Sequence, residues 1–209
     1  IERIAQVIAE IRQMGVECVL VSSGAVAAGV GKLGLKAKPK NVAGKQAVAA
    51  VGQGVLIEQY ALALETRGLI CAQVLLSRLD LAEASRYRNA QNTLEQLLRY
   101  QVIPIINEND TVAVEELCFG DNDRLLALVA GLVHGDLLVI LTDVDGLYSA
   151  NPKTDPEAKL IPEVKDLTQV MGLAGGAGSS LGTGGMVTKL KAAEIATRFG
   201  IGMFLLNSQ

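Results

Sequence analysis

The sequence predicts an α/β fold with a mostly parallel central sheet sandwiched by helices. Half of the 209 residues are hydrophobic while only 3% are aromatic, so the core must be built from valine, leucine, isoleucine and alanine. That composition suits parallel strands that helices cover on both faces. Segments with strand and helix patterns also alternate along the chain, which is typical of parallel sheets with right-handed crossovers.

The first elements follow from apolar spacing and glycine positions. The chain opens in an amphipathic helix that ends at Gly15, because apolar residues recur there at helical spacing: Ile4, Val7, Ile8 and Ile11. A short strand, VECVLV, is predicted at 16–21, and the small-residue segment SSGAVAAG, at 22–29, leads from it into a helix. A long, mostly helical region is predicted over 42–66.

The rest of the chain continues the alternation within one predicted domain, residues 1–209. Strands are predicted at 69–76, 102–106, 137–142 and 201–206. Helices are predicted at 83–100, 121–133 and 186–199. A short hairpin is expected at Val112–Leu117, inside the polar segment that precedes the helix at 121–133.

Charge, hydropathy and cysteine count argue against several classes of protein. The net charge of −3 argues against a nucleic-acid partner, which requires a basic excess. No apolar run reaches 18 residues, so no membrane span is expected, and no signal-peptide pattern opens the chain. Three distant cysteines, Cys18, Cys71 and Cys118, are typical of reduced, buried thiols in a cytoplasmic protein.

Polar segments follow the predicted strands, at the edge where parallel sheets bind ligands. These segments are SSGAVAAG, INENDTV, TDVDGLY and NSQ. One polar loop is explained by its place at the surface, but several such loops on one edge of one sheet favour a binding site.

The segment GTGGMVTK, at 182–189, has the composition of a phosphate-binding helix start. Backbone N–H groups at a helix N-terminus lack partners, and the helix dipole favours negative charge there. Glycines let a phosphate approach the backbone closely, Thr183 and Thr188 add hydroxyls, and Lys189 adds positive charge. A surface loop before an ordinary helix is the alternative, and the chain has no Walker A pattern.

Two further segments offer groups for a small charged substrate. Ser22, Ser23 and Gly24 stand where a helix presents its first N–H groups, although tight helix–sheet packing explains the same small residues equally well. The acidic segments NEND and GDND fit binding of an ammonium group, orientation of lysines or binding of Mg²⁺ through water, or else a surface loop and a helix N-cap. Their polar residues are Asn107, Glu108, Asn109, Asp110, Asp121, Asn122 and Asp123.

Other patterns favour structural interpretations. GVGKLG, at 29–34, fits G-x-G-x-x-G, but no strand directly precedes it and no acidic residue occurs between Glu17 and Glu58. The lysines of that interval favour a solvated loop, with a lid of positive potential near an anionic substrate as the alternative. These lysines are Lys32, Lys36, Lys38, Lys40 and Lys45. The single histidine, His134, suits a helix end better than a Ser–His hydrolase.

The scarcity of bases indicates the kind of acceptor that a phosphoryl transfer would use. Transfer to an alcohol recruits a residue that positions or deprotonates the nucleophile. A carboxylate acceptor is already ionised at neutral pH, since its reference pKa is about 4. Lysine, Mg²⁺ and backbone N–H groups then suffice to align two anions and neutralise the charge between them.

Together, the segments resemble the amino-acid kinase family, and within it the branch that phosphorylates glutamate. The matching segments occur in the family's order over nearly the whole chain: SSGAVAAG, KQAVAAVGQ, INENDTV, GDND, LTDVDGLYSANP and GTGGMVTK. The resemblance implies the family's three-layer fold, ATP and Mg²⁺ as cofactors, and phosphorylation of the L-glutamate side-chain carboxylate to L-glutamyl 5-phosphate in proline biosynthesis. It also implies a homo-oligomer, proline inhibition and hand-off of the product to glutamyl phosphate reductase.

The resemblance also implies roles for individual residues. Substrate contacts are implied for Ser23, Gly24, Asp110 and Asn122. Nucleotide contacts are implied for Thr142, Asp143, Thr183, Gly184, Gly185, Met186, Val187, Thr188 and Lys189. In this scheme Lys189 stabilises the charge of the transition state, while Asp121 and Asp123 organise the lysines and the metal.

The resemblance is incomplete at both ends of the chain. Family members begin with a strand that ends in a Lys-x-Gly-Ser/Thr phosphate loop, and they continue past the position of Gln209, in many cases into an RNA-modification-type domain. We therefore expect a fragment that is poorly active alone. Two alternatives stay open: another family member such as acetylglutamate kinase, and a non-catalytic amino-acid sensor on the same fold.

Overall fold

The predicted alternation of strand and helix runs through the part of the chain that the structure describes. The structure is a computed structural model, and it describes residues 1–112, 122–152, 154–172 and 185–208. The chain divides into two compact units, Ile1–Phe119 and Gly120–Gln209. Each unit has its own sheet and its own core, and each is described by itself.

The first unit alternates helices with three strands. In chain order its described elements are α1 (Glu2–Gln13), β1 (Leu20–Val21), α2 (Ala25–Lys32), α3 (Val42–Glu65), β2 (Cys71–Leu76), α4 (Arg78–Ala82), α5 (Ala84–Arg99) and β3 (Ile103–Glu108). The helices predicted at the start of the chain, at 42–66 and at 83–100 are confirmed. The strand predicted at 16–21 is shorter than expected, since only its last two residues pair with a neighbour.

The three strands form one parallel sheet in the order β1–β3–β2. Ile106 of β3 pairs with Val21 on one side and with Val74 on the other. Helices connect successive strands, as parallel pairing requires. All three strands therefore end at the same edge of the sheet, which we call the carboxyl edge of the first unit.

An apolar core joins α1, α3 and one face of this sheet. Ile103 and Ile105 of β3 lie in it, because alternate residues of a strand face the same side. The buried residues that the two helices supply are Ala5, Ile8, Leu56, Tyr60, Ala63 and Leu64. Pro104 and Ile106, also buried, alternate with these residues toward the opposite face, and α5 packs on β3 as well.

α2 and α3 pack backbone against backbone at two glycines. A methyl group added to Gly52 would lie 1.7 Å from the carbonyl oxygen of Ala25, and one added to Gly29 would lie 1.9 Å from that of Val48. Both distances are far shorter than a van der Waals contact, so only glycine permits this approach. The two contacts set α2 antiparallel to α3, with the start of α2 beside the middle of α3.

Among the described residues, α3 is the one helix long and apolar enough to cross a membrane, with a mean hydropathy of 1.4 over its best window. A core helix passes the same test of length and composition. The buried residues of α3 are Val48, Ala49, Gly52, Gln53, Leu56, Tyr60, Ala63 and Leu64. Burial in the first unit therefore accounts for part of the apolar character of this helix, since 44% of that window is buried.

The second unit places two helices on a two-stranded sheet. Its described elements are α6 (Asn122–Leu132), β4 (Leu137–Thr142), β5 (Leu147–Tyr148), β6 (Leu160–Ile161), a short 3₁₀ helix (Leu167–Gln169), α7 (Met186–Arg198) and β7 (Gly202–Asn207). The helices predicted at 121–133 and 186–199 are confirmed, as are the strands predicted at 137–142 and 201–206.

β4 and β7 pair in parallel, from Leu137 with Gly202 to Thr142 with Asn207. One face of the pair packs against α6 and α7 through Leu138, Ile140, Ala127, Ala130, Ala192 and Ala196. The apolar residues of the other face are exposed: Leu137, Val139, Leu141, Phe204 and Leu206. The second unit is thus a layer of two helices on one side of a short parallel sheet.

Local hydrogen bonds explain two elements that the sequence pattern did not predict. α4 has only five residues and is held by a capping box, in which the Asp80 carboxylate accepts from the N–H and the hydroxyl of Ser77 at 2.7 and 2.6 Å. β5 and β6 form a short antiparallel hairpin, in which Leu147 pairs with Ile161.

The structure limits or corrects several smaller predictions. The hairpin predicted at Val112–Leu117 falls almost wholly outside the described residues, and Cys118 lies outside them too. Cys18 and Cys71 are free, but they are half-buried rather than buried, and this burial raises the pKa of both thiols. His134 follows α6 in a left-handed conformation, with φ of 51°, which confirms its place at a helix end.

Gly52→Ala is expected to destabilise the full-length protein by at least about 1–3 kcal/mol, because the added methyl group meets backbone that no rotamer change can move. Gly54→Ala in the same helix is the matched control, since a methyl group there meets nothing within 4 Å. Alanine has a higher helix propensity than glycine, so Gly54→Ala should stabilise the protein by up to about 1 kcal/mol. Denaturant midpoints measure both effects, and a Gly52→Ala midpoint equal to that of the wild type would contradict the close contact.

Candidate functional site

The first turn of α2 begins at the carboxyl edge of the first unit. Ser22 extends β1, since its N–H donates to the Ile106 carbonyl at 2.9 Å, and its buried hydroxyl lies 3.3 Å from that of Tyr60. Ser23 and Gly24 are exposed. Gly24 is the N-cap of α2 with φ of 100°, a left-handed value that favours glycine, and no described side chain caps this helix. Its first N–H groups are therefore open to an anion.

Asp110 lies at the same edge, two residues beyond the end of β3. Its carboxylate is about half-buried, and among the described residues it makes no hydrogen bond and no ion pair. Burial raises the pKa of the Asp110 carboxyl, while the nearby ammonium of Lys38 opposes that rise. Because β1 and β3 are neighbours in the sheet, Ser23, Gly24 and Asp110 all follow adjacent strand ends.

Sequence reasoning missed residues of α3 that support this edge. Tyr60 holds the side chain of Ser22 by the hydroxyl contact described above. Gln53 is buried about two helical turns before Tyr60 on α3. Its Oε1 accepts from Gln73 Nε2 at 3.3 Å, whereas its own Nε2 has no partner among the described residues. The small residues of α3 signalled close packing, but no local pattern reveals partners 20 and 38 residues away.

In the second unit, two helix starts and a strand end meet at one edge. α6 and α7 each run back along the strand that follows them after a short turn. The 13 residues of α7 span about 20 Å, and the six residues of β7 span about the same length. The starts of both helices therefore lie where β4 and β7 end, which is the carboxyl edge of the second unit.

A buried ion pair joins the first turns of α6 and α7. Nζ of Lys189 lies 3.1 Å from Oδ2 of Asp123, and only 9% and 14% of the two side chains are exposed. The hydroxyl of Thr188 lies 2.6 Å from the same carboxylate oxygen. Because so little of the Lys189 side chain is exposed, solvent screens its charge much less than the charge of a surface lysine.

α7 begins with N–H groups that have no intrahelical acceptor. Gly185 precedes the helix in an extended conformation, and no described side chain caps it. The Gly185 carbonyl accepts from the N–H of Thr188 at 3.1 Å, whereas the N–H groups of Met186 and Val187 belong to the first, open turn. An open helix start beside a buried lysine is a favourable position for phosphate.

The end of β4 lies at this same edge of the second unit. Thr142 closes the strand, its carbonyl accepting from Ser208 N–H at 2.8 Å, and its hydroxyl lies 3.4 Å from Oδ1 of Asp143. Asn122 is the first residue of α6, directly before Asp123. The predicted nucleotide residues that the structure describes thus gather at the carboxyl edge of the second unit.

Three predicted site residues, Asp121, Thr183 and Gly184, lie outside the described residues. The others divide between the units, with Ser23, Gly24 and Asp110 in the first. The second unit holds Asn122, Asp123, Thr142, Asp143, Gly185, Met186, Val187, Thr188 and Lys189. Within each unit the predicted residues share one sheet edge.

The acidic residues of the second unit fit a metal ion that is bound together with a nucleotide better than a metal site whose ligands all come from the protein. In the described stretches, no group of three or more histidine, cysteine, aspartate or glutamate side chains could hold an ion. Mg²⁺ is usually bound through one or two carboxylates together with phosphates and water. Asp123, in the first turn of α6, is the described residue that the resemblance relates to such a metal.

Two solved structures share the fold of this chain. An aspartate kinase from Synechocystis aligns with a TM-score of 0.66 and 20% identity, covering 99% of this chain and 35% of that one. An isopentenyl phosphate kinase aligns with a TM-score of 0.64 and 16% identity, covering 99% of this chain and 80% of that one. At such identities the likeness shows the fold alone.

Curated relatives of much higher identity are named glutamate 5-kinase. The one from Desulfitobacterium hafniense (strain Y51) is 88% identical over 209 residues, and the one from Streptococcus suis (strain 05ZYH33) is 53% identical over 210. Both matches cover all of this chain, which spans 57% and 59% of the respective relative. A relative from Neisseria gonorrhoeae (strain NCCP11945) is 51% identical, and the chain spans 71% of it.

The match to a family profile covers nearly the whole chain. It extends over residues 1–207 and is described as the amino acid kinase family. The match therefore includes the helices and strands of both units. The chain belongs to the amino acid kinase family.

Proposed function

We propose that the full-length protein uses ATP to phosphorylate the side-chain carboxylate of L-glutamate, giving L-glutamyl 5-phosphate, the first step of proline biosynthesis. The observation that carries this proposal is the buried Lys189–Asp123 pair at the open start of α7. A preorganised ammonium beside free backbone N–H groups suits the transfer of a charged phosphoryl group. The name glutamate 5-kinase, which the relatives bear, supports glutamate as the acceptor.

ATP is assigned to the carboxyl edge of the second unit. The N–H groups of Met186 and Val187, together with the glycine-rich residues before them, bind the phosphates, and Thr142 and Asp143 contact the nucleotide. Lys189 then stabilises the negative charge that accumulates on the transferring group. Asp123 acts on Lys189 by fixing where its ammonium stands, since its carboxylate oxygen is 3.1 Å away.

Glutamate is assigned to Ser23, Gly24 and Asp110, at the carboxyl edge of the first unit. The open first turn of α2 attracts a carboxylate, because its N–H groups and the helix dipole are both positive there. Asp110 accepts a hydrogen bond from the α-ammonium group of the amino acid. A half-buried carboxylate without a partner among the described residues fits a group reserved for a ligand.

The chemistry requires alignment and charge neutralisation more than proton transfer. The acceptor carboxylate is ionised at neutral pH, so no residue has to deprotonate it. One of its oxygens forms a bond to the γ-phosphorus while the bond from that phosphorus to the bridging oxygen breaks, and ADP leaves with the electron pair. Mg²⁺ bound with ATP would reduce the charge of the phosphate oxygens, and by the resemblance Asp123 would help to hold it.

The wider assignments follow from the same resemblance. Because the family match spans both units, we propose that they belong to one amino-acid kinase domain. We also propose a homo-oligomer, a cytoplasmic location and hand-off of the reactive acyl phosphate to glutamyl phosphate reductase. The net charge of −3 supports the absence of a nucleic-acid partner for this domain.

Lys189→Met is expected to lower the kcat of the full-length protein about 10²–10³-fold, because the loss of one preorganised charge stabiliser has effects of that size. Lys191→Met is the matched control, since Lys191 is an exposed lysine on the same helix, and its activity should stay within about two-fold. Glutamate-dependent ADP release measures both variants.

A stability control separates catalysis from folding in that experiment. Lys189→Met leaves Asp123 buried without its cation, which costs about 3–5 kcal/mol. The double variant Asp123→Asn with Lys189→Met removes both charges and should regain most of the stability without regaining turnover. Unchanged turnover in Lys189→Met, or recovered turnover in the double variant, would remove the proposed role of Lys189.

Asp110→Asn is expected to stabilise the fold at neutral pH while it weakens glutamate binding. Because the folded pKa of Asp110 is raised, this carboxyl favours folding only when it is protonated, and that contribution is lost as pH rises through the folded pKa. Asparagine removes the buried charge, so its advantage should be present at pH 7 and vanish below the ordinary aspartate pKa of about 3.9.

Thermal unfolding measured from about pH 3 to about pH 8, a range that includes the reference aspartate pKa, checks the prediction for Asp110. Glu58→Gln, which neutralises an exposed carboxylate on α3, is the control and should leave the unfolding temperature nearly unchanged. A destabilised Asp110→Asn protein at pH 7 would show that the carboxylate serves the fold.

A further inference from the structure

The loop between β4 and β5, residues 143–146, is anchored by strand pairing at both of its ends. Thr142 ends β4 and pairs with Asn207 of β7, while Leu147 begins β5, which pairs with β6. The proposed nucleotide contact Asp143 is the first residue of this loop. Whatever holds the loop between its two anchors therefore also sets the position of Asp143.

A side-chain hydrogen bond ties the middle of this loop to the end of β7. Oδ1 of Asp145 accepts from Nδ2 of Asn207 at 2.7 Å. The hydroxyl of Tyr148 lies 3.4 Å from Oδ2 of the same carboxylate, which is longer than the upper limit of about 3.0 Å for a good O–H···O hydrogen bond. Asn207 is therefore the stronger partner of Asp145, and their bond joins residues that are 62 positions apart in the sequence.

The backbone around this bond keeps the loop at the carboxyl edge of the second unit. Asn207 lies beside Thr142 in the parallel pair, and the N–H of Ser208 donates to the Thr142 carbonyl at 2.8 Å. Asp145 follows Thr142 by three residues and yet contacts Asn207, so the loop bends across the end of β7. A methyl group added to Gly146 would lie 3.1 Å from a side-chain carbon of β6, so the last loop residue passes close to that strand. The loop is thus held at the edge to which ATP is assigned.

We propose that Asp145 is a positioning residue for the nucleotide, because its bond to Asn207 holds the loop in which Asp143 contacts ATP. The inference rests on the proposed function. A loop that is already ordered loses less conformational freedom when its ligand binds, so the ligand binds more tightly. In this role the Asp145 carboxylate acts as a hydrogen-bond acceptor, and its negative charge is not required. A carboxylate that held a metal ion would require that charge.

The test compares Asp145→Ala with Asp145→Asn in the full-length protein, with ATP and glutamate varied in turn. Asp145→Ala should raise the KM for ATP about two- to ten-fold, the effect of one lost hydrogen bond, and leave kcat and the KM for glutamate nearly unchanged. Asp145→Asn keeps an oxygen that accepts from Asn207, so its KM for ATP should stay within about two-fold of the wild type. This rescue by asparagine distinguishes a hydrogen-bond acceptor from a charged ligand of the metal.

Two further variants test whether the effect depends on the bond to Asn207. Asn207→Ala should also raise the KM for ATP, and the addition of Asp145→Ala to that variant should have no further effect, because the two residues act through one contact. Asp136→Ala is the matched control and should keep the wild-type KM. Asp136 is an exposed aspartate that directly precedes β4, at the opposite end of that strand from the loop.

A KM for ATP that rises equally in Asp145→Asn and Asp145→Ala would overturn the inference, because the charge of Asp145 would then be what acts. An unchanged KM in Asp145→Ala, an additive increase in the double variant, or an equal increase in Asp136→Ala would overturn it as well. A wild-type protein without glutamate-dependent ADP release would instead overturn the proposed function, and this inference with it. Asp145 and Asp136 are both exposed, so equal unfolding temperatures verify that the fold is intact.

Discussion

Parallel strand pairing is the constraint on which both units depend. Because β1, β3 and β2 run in one direction, each must leave the sheet at the carboxyl edge and return through a helix. The same holds for β4 and β7. Strand direction alone therefore gathers the polar segments that follow the strands at an edge, although these segments are distant in sequence. Open helix starts are gathered there too, and this explains why backbone N–H groups and short polar side chains provide most of the candidate site.

The charged group at the edge of the second unit has a partner of opposite charge, whereas the one at the edge of the first unit has no ion-pair partner among the described residues. Lys189 is buried but satisfied, since the carboxylate of Asp123 lies 3.1 Å from its ammonium. Asp110 is half-buried and lacks such a partner among the described residues, so burial raises its pKa. A paired lysine keeps its position when no phosphate is bound, whereas an unpaired carboxylate retains its capacity for a cationic ligand. The lysine at the edge of the second unit is therefore preorganised, whereas the carboxylate at the edge of the first unit is not.

Sequence reasoning succeeded where the physical cause is local. The periods of α1 and α5, the glycines before α7 and the strand preference of 137–142 are local signals, and these elements form as predicted. Partners distant in sequence escaped it. The contact of Ser22 with Tyr60, and the effect of Lys38 on Asp110, depend on how the first sheet is assembled. β1 shows the same limit of local patterns. The apolar pattern of residues 16–21 predicts a longer strand, but only Leu20 and Val21 pair with β3.

The close packing of α2 on α3 connects the core of the first unit to its proposed chemistry. In the part of the chain that the structure describes, no side chain caps the first turn of α2, whose N-cap is Gly24. Two contacts with α3 set the position of α2 instead. One is the hydroxyl contact between Ser22 and Tyr60, and the other is the backbone contact between Ala25 and Gly52. Both supports come from α3. A side chain at Gly52 would displace the N–H groups of α2 as well as strain the core, because the same backbone contact serves both. The glycines at these contacts are therefore a requirement of the proposed anion-binding edge as much as of the fold.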